Sequence, residues 1–326
     1  MKLQQLRYIC EIARAGLKVS DAAANLYTSQ PGISKQVRLL EDELGIEIFR
    51  RSGKHFADIT PAGREIIRKA EEILLEVRNI KSIAQEYTDE GQGSLSIATT
   101  HTQACYALPD TIQRFRAQYP KISLHIHMGT PVQIAEMAAR SEVDFAIATE
   151  ALELFEDLVT LPCYHWNRGI VAPVGHPILQ ENPLTLEALA RYPIVTYVFG
   201  FTGRSTLDHA FAVKNLKPDV VFTATDSTTL KTYARLGVGV GIMAKMAFDP
   251  HADQGLAMVD ASHLFPSNTS HIAFRRGTTM RRYMYDFIQL FAPHLTHEVV
   301  DTATRFETRQ EREEFYRKKL PELPER

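Results

Sequence analysis

The residues best able to do chemistry in this chain form two groups far apart in sequence. In the first, Gln30, Ser34, Lys35 and Arg38 share one side of a helical register, with Thr28, Ser29 and Pro31 at its start. Amide side chains pair bidentately with adenine edges, cationic ones with guanine or phosphate, and hydroxyls with either. In the second group, hydroxyls gather where strand-like stretches end. These are Thr99-Thr100-His101-Thr102-Gln103, Thr149, Thr202-Gly203-Arg204-Ser205 and Thr225-Asp226-Ser227-Thr228. Hydroxyls beside free backbone N–H groups at helix starts hold carboxylates or small oxyanions without a full opposing charge. Any one of these residues reads first as a helix cap. Four such clusters at strand exits favour a shared pocket.

The first group needs a helix to present it. Ile33, Val37, Leu40 and Leu44 recur four, three and four apart, one buried stripe opposite the polar face. Thr28 or Ser29 caps this helix, and Pro31 sits in the first turn, where its missing N–H costs little. Leu6, Ile9, Cys10 and Ala13 mark a helix before it, and Ala22, Ala23 and Leu26 a short second one. Two helices, a tight turn and a third with a polar and basic outer face suit a major groove. On pattern alone, a three-helix bundle with a merely solvated face reads as well. Residues 48–56 then predict two short strands around Ser52-Gly53, with Arg50, Arg51 and Lys54 near the tip, a basic wing placed for phosphates or a minor groove. Thr60-Pro61 opens a long helix whose Ile66, Ala70, Ile73, Val77, Ile80 and Ala84 alternate four and three apart, a seam for pairing two chains or for packing on its own. A polar break at 88–92 reads as a hinge.

The second group needs strand ends. From residue 94 strand-like and helical stretches alternate, which predicts an α/β body of two subdomains with mostly parallel sheets. Other motifs carry less. Gly237-Val238-Gly239-Val240-Gly241 begins a strand instead of separating strand from helix, so close packing is expected there. His125 and His127 share a strand face but lack a third ligand, so no metal is expected. Cys163 near His165 reads as a buried thiol rather than a nucleophile. No phosphate loop or nucleophile elbow occurs, and an enzyme is not expected.

Composition agrees. The 326 residues are 44% hydrophobic and 23% charged, as in a globular protein of more than one domain. The net charge of −2 hides an asymmetry: residues 1–70 carry 12 Lys and Arg against 8 Asp and Glu, and the rest 25 against 31. A basic head on an acidic body fits a polyanion-binding module joined to something else. Three scattered cysteines predict no disulfide framework and a reducing cytoplasm. No apolar run is long enough to cross a bilayer, and Met1-Lys2-Leu3-Gln4-Gln5 does not read as a signal peptide.

Thr28-Ser29-Gln30-Pro31-Gly32-Ile33-Ser34-Lys35-Gln36-Val37, Leu40-Glu41-Asp42-Glu43-Leu44-Gly45, Phe49-Arg50-Arg51 and Thr60-Pro61-Ala62-Gly63 closely resemble the winged helix-turn-helix and linker helix of LysR-type transcriptional regulators. The resemblance continues through IATTHTQACYALP at 97–109, DFAIATEAL at 144–152, LPCYHWNR at 161–168, FGFTGRS at 199–205, FTATD at 222–226 and YMYDFIQLFAPHLT at 283–296. These stretches resemble the branch of the family that controls cysteine biosynthesis, beside a related branch for sulfonate sulfur. The resemblance implies an N-terminal winged helix-turn-helix (1–59), a linker and dimerisation helix (60–87), a hinge (88–92) and a C-terminal body with the periplasmic-binding-protein fold. Its subdomains would be 93–163 with 268–300, and 164–267, followed by a charged tail, 301–326. It also implies a homotetramer binding double-stranded promoter DNA and RNA polymerase, away from any membrane, with no cofactor. The implied effector is N-acetylserine or O-acetylserine, with sulfate, thiosulfate or sulfide opposing it or occupying the pocket. Matching effector positions are Thr100, Thr102, Gln103, Thr149 and Thr202. Arg204 and Thr225 fall within matching stretches as pocket or hinge residues, and Trp166 is either such a residue or ordinary packing. Cys105 stands where the pattern has a basic residue.

Overall fold

A computed structural model describes residues 1–53, 55–88, 93–201 and 203–326, with 85–88 described by backbone alone. Lys54, most of the hinge at 88–92 and Thr202 therefore lie outside the described residues. The chain forms two compact units, Met1–Thr88 and Asp89–Arg326.

In the first unit α1 (Leu3–Arg14), α2 (Val19–Asn25) and α3 (Gln30–Leu44) precede a hairpin of β1 (Phe49–Ser52) and β2 (His55–Ile59), then α4 (Pro61–Thr88). Ser29 caps α3, its Oγ accepting from the Gly32 N–H at 3.3 Å. Leu6, Ile9, Ile33, Val37 and Leu40 close one core with Phe49 and Phe56 of the hairpin. The apolar residues of α4 fall on two faces, only one of which follows the expected stripe. Ile67, Ala70 and Leu74 join this core, whereas Ile73, Ile80 and Ile83 stay exposed. The packing half is held by Arg14 on α1, paired with Glu71 at 3.1 Å.

The second unit contains β3 (Gly93–Thr99), α5 (Pro109–Gln118), β4 (Ile122–Met128), α6 (Pro131–Ala139), β5 (Phe145–Ala148) and β6 (Leu158–Trp166). It continues through β7 (Arg168–Pro173), α7 (Leu186–Leu189), β8 (Ile194–Tyr197), α8 (Arg204–Val213), β9 (Val220–Ala224), α9 (Ser227–Arg235), β10 (Val240–Ala244) and β11 (Leu256–Asp260). It ends with β12 (Asn268–Arg275), α10 (Arg282–Phe291), α11 (His297–Arg305) and α12 (Arg309–Lys319). The strands form two sheets, ordered β4-β3-β5-β12-β6 and β11-β7-β10-β8-β9. The chain crosses between them at Asn167 and returns between β11 and β12.

Both sheets are mixed, which corrects the expectation of mostly parallel ones. β3 runs parallel to β4 and β5, and β8 to β9 and β10, but β12 is antiparallel to β5 and β6, and β7 to β10 and β11. A strand that arrives from the other sheet enters from the opposite end, so it pairs antiparallel. The longest strand, β6, carries a proline and is buried on both faces, so it shows none of the alternation that marks a half-exposed strand. The region 301–326, read as a charged tail, is also ordered: it holds the end of α11, then α12, then a segment paired beside His165.

Candidate functional site

In the first unit α3 presents Gln30, Lys35 and Arg38 exposed, with Ser34 half-buried beside them and Thr28, Ser29 and Pro31 around the helix start. Ile33, Val37 and Leu40 of the opposite stripe are fully buried, although Leu44 at its end is exposed, so the polar face is fixed outward by the core beneath it. Arg50 is exposed on the wing. Arg51 is exposed as well, and its Nη2 donates to Glu41 Oε2 at 2.7 Å with its guanidinium 4.9 Å over the Phe56 ring. Glu41 is buried on α3, and its Oε1 accepts from the backbone N–H groups of Ile48 (2.9 Å) and Phe49 (3.1 Å). One carboxylate thus pins the wing to α3, with Arg51 as its cation.

In the second unit several expected residues meet. A π-helical turn, Gln103–Ala107, follows β3 and inserts Gln103 into the interior. The Gln103 amide is held at both ends: Tyr164 on β6 donates its hydroxyl to Oε1, and Nε2 donates to Ser270 Oγ at 2.8 Å. Ser270 on β12 lies 3.4 Å from Thr149 Oγ1, which accepts from the Trp166 indole N–H at 3.1 Å. Tyr164, Gln103, Ser270, Thr149 and Trp166 therefore form one hydrogen-bonded chain ending beside the first crossover. An amide has two donors and two acceptor sites, so Gln103 keeps one of each free for another partner. Burial pushes the Tyr164 hydroxyl up to about 12, so it stays a donor.

Thr100 and Thr102 are both buried on the same strand exit, and the Thr102 hydroxyl has no hydrogen-bond partner. Its companion across the subdomains is Tyr197 at the end of β8, buried and also close to the unpartnered hydroxyl of Ser227. Two further links cross between subdomains here. Lys231 on α9 donates to the Tyr106 hydroxyl at 3.2 Å, and the Gly203 N–H donates to a Glu150 carboxylate oxygen. Gly203 has φ +70°, and a Cβ there would strike Arg168 and Asn268, so glycine is required. Arg168 is buried, stacked 5.5 Å from the Trp166 ring, and desolvation draws its pKa down to about 10 against the pull of Glu150.

Not every expected residue joins. Arg204 is committed to Asp208 Oδ1 (2.8 Å) and the Tyr197 carbonyl (2.7 Å), and Thr225 is exposed. Cys105 is exposed, 3.5 Å from His101 Nε2. Gly239 packs as expected, a Cβ there falling 2.6 Å from the Pro193 carbonyl oxygen. Cys163 is a buried thiol raised to about 12 by desolvation. Among the described residues no group of three His, Cys, Asp or Glu could hold a metal. Sequence reasoning missed Ser270 and Tyr164. Ser270 reaches the site only after the second crossover, and no local pattern signals that. Tyr164 lay within the stretch LPCYHWNR but carried no strand-exit signal.

Residues 3–64 match the family described as bacterial regulatory helix-turn-helix protein, lysR family, and residues 88–296 match the LysR substrate binding domain. The HTH-type transcriptional regulator CysB of Haemophilus influenzae is 55% identical over 305 residues, 94% of each chain. The cofactor-binding domain of the Cbl transcriptional regulator superposes with a TM-score of 0.64 at 39% identity, covering 67% of this chain and 96% of that one. Full-length OxyR from Pseudomonas aeruginosa has a TM-score of 0.64 at 24% identity over 89% of this chain and 97% of its own, a likeness of fold.

Proposed function

Because the chain belongs to the LysR family of DNA-binding transcriptional regulators, which are not enzymes, we propose that it is a CysB-like activator of sulfate assimilation and cysteine biosynthesis genes. Acetylserine, in its N- or O-acetyl form, is the inducer, and sulfate, thiosulfate or sulfide opposes it or takes the same pocket. The carrying observation is the buried chain from Tyr164 through Gln103, Ser270 and Thr149 to Trp166, which joins the polar strand exits to the crossover. Gln103, Thr149 and their partners Tyr164, Ser270 and Trp166 belong to the first sheet, whereas Thr102 faces Tyr197 at the end of β8 in the second, so a ligand that reaches Thr102 as well touches both subdomains. It therefore binds the two subdomain angles unequally, and a differential of about 1–3 kcal/mol gives a 5- to 150-fold response.

On the DNA side, Gln30, Ser34, Lys35 and Arg38 read the groove, Thr28, Ser29 and Pro31 fix the helix start on the backbone, and Arg50 holds phosphate from the wing. The exposed Ile73, Ile80 and Ile83 of α4 favour pairing with a second chain. Two such pairs make the homotetramer that contacts RNA polymerase in the cytoplasm. No helix among the described residues is long and apolar enough to cross a membrane.

The test has two arms on the full chain. Lys35→Ala and Arg38→Ala should weaken binding to promoter DNA of cysteine-biosynthesis genes and each reduce the slope of log K against log salt by about 0.9. An unchanged slope removes α3 from the interface. Thr100→Leu should abolish the acetylserine response with DNA affinity retained, and normal calorimetric binding of acetylserine to that variant places the pocket elsewhere.

A further inference from the structure

The segment after α12 ends beside the site. The Tyr316 hydroxyl donates to the Thr160 carbonyl at 2.8 Å, and Leu320 packs on the core of the β3-containing sheet. Beyond it the chain runs along β6: the His165 N–H donates to the Pro324 carbonyl (2.8 Å), and the Arg326 N–H donates to the His165 carbonyl (2.9 Å). Asn167, the crossover residue, donates its side-chain N–H to Glu325 Oε1.

Arg326 is held on four sides. Its guanidinium lies 4.6 Å over the Tyr164 ring and 5.2 Å over Phe291, Nη1 donates to the Ala107 carbonyl at 2.8 Å, and Nη2 donates to the Phe291 carbonyl at 3.1 Å. Two of these contacts converge on Gln103. Ala107 is the last residue of the π-helical turn that begins at Gln103, and Tyr164 is the donor to the Gln103 amide oxygen. A glutamine amide turns freely about its last torsion, so its direction depends on what grips it. Resting on the assignment of Gln103 to the effector pocket, we propose that Arg326 is a positioning residue for that pocket, fixing Gln103 from two sides through the Tyr164 ring and the turn backbone. The extended segment carrying it is a strap that delivers this side chain to the crossover.

A planar, bidentate guanidinium stacked on rings is not replaced by an ammonium. Without Arg326, Tyr164 and Gln103 must be ordered when the ligand arrives, and immobilising two such side chains weakens binding about tenfold. The experiment is calorimetric titration of the full chain with N-acetylserine and separately with sodium sulfate. Arg326→Ala and Tyr164→Phe should each weaken binding about tenfold, and Arg326→Lys should recover only part of it. Because both residues act through one amide, the double variant should bind far better than the product of the two single losses requires. Promoter affinity without effector should not change in any of them.

Normal affinity in Arg326→Ala and Tyr164→Phe, with binding abolished by Gln103→Ala, overturns the strap but keeps the pocket. Multiplicative losses in the double variant also overturn it, since Arg326 would then act by another route. Normal binding by Gln103→Ala overturns the pocket assignment itself and the strap with it. If Arg326→Ala does not fold, Arg326→Lys and Tyr164→Phe carry the same comparison. Should the wild-type chain bind neither probe, the ligand assignment falls. The strap is then decided by the emission of Trp166, the one tryptophan, which both variants should shift alike and which an inert segment leaves unmoved.

Discussion

Thr149→Val removes one hydroxyl and keeps the branched shape. That hydroxyl accepts from the Trp166 indole N–H at 3.1 Å and lies 3.4 Å from Ser270 Oγ. Trp166 is 1% exposed and Ser270 fully buried, so neither can turn to water. Ser270 keeps its 2.8 Å bond from Gln103 and loses only the 3.4 Å contact, the weakest link of the chain. The loss is therefore one stranded indole N–H, costing about 1–3 kcal/mol. Urea unfolding read through Trp166 emission reports it, because no other tryptophan contributes. A loss of about 2 kcal/mol against an m-value of about 3 kcal/mol per M lowers the midpoint by about 0.7 M. The emission should also move to shorter wavelength, since the indole loses its polar partner, whereas Thr149→Ser should leave the wavelength in place. A midpoint within about 0.2 M of wild type, with unchanged emission, refutes the reasoning, for it means the indole never depended on Thr149.

Three further outcomes follow from buried or half-buried polar groups. Glu41→Ala strands the N–H groups of Ile48 and Phe49, both fully buried, and should destabilise the head by about 2–5 kcal/mol in thermal melts, with DNA binding lost as the wing detaches. Lys231→Met leaves the buried Asp253 without its cation at 2.9 Å and should cost about 3–5 kcal/mol in urea midpoint, while Tyr106→Phe, removing only the bond across the subdomains, should cost about 1 kcal/mol. His271 is held near a pKa of about 4 by burial, partly offset by the Glu153 charge, against an ordinary 6.5. The unfolded chain therefore takes up this proton first, so stability should fall as pH drops from about 6.5 towards 4, by about 1.4 kcal/mol per pH unit from this group, and His271→Gln should flatten that part of the profile.

Much of the head was legible because its signals are local. The spacing of Ile33, Val37 and Leu40 sets which side of α3 is buried, and this leaves Gln30, Lys35 and Arg38 outside with no help from the rest of the fold. The wing was legible as a hairpin, but the use of its cations was not. Arg50 and Arg51 are adjacent and identical in type, and only the placement of Glu41, ten residues before Arg51, pairs that one with a buried carboxylate. On α4 the expected stripe merged two faces: Ile67, Ala70 and Leu74 pack on the head, whereas Ile73, Ile80 and Ile83 lie on another face and stay exposed.

For the body, the alternation of elements, the polar character of the strand exits and the lack of a local catalytic motif can be read from the chain, since all three are properties of neighbouring residues. Tertiary structure decided what those exits touch. Ser270 joins Gln103 and Thr149 because the chain crosses to the second sheet, returns and enters the first sheet antiparallel, 167 residues after Gln103. Arg326 reaches Tyr164 and the turn at Ala107, which lies 219 positions earlier, only because α12 and the segment beyond it fold back along β6. Periodicity reports which face of an element is dry. Which distant groups share that dry space depends on chain crossings that no local pattern encodes, and here those crossings assemble the buried hydrogen-bonded chain.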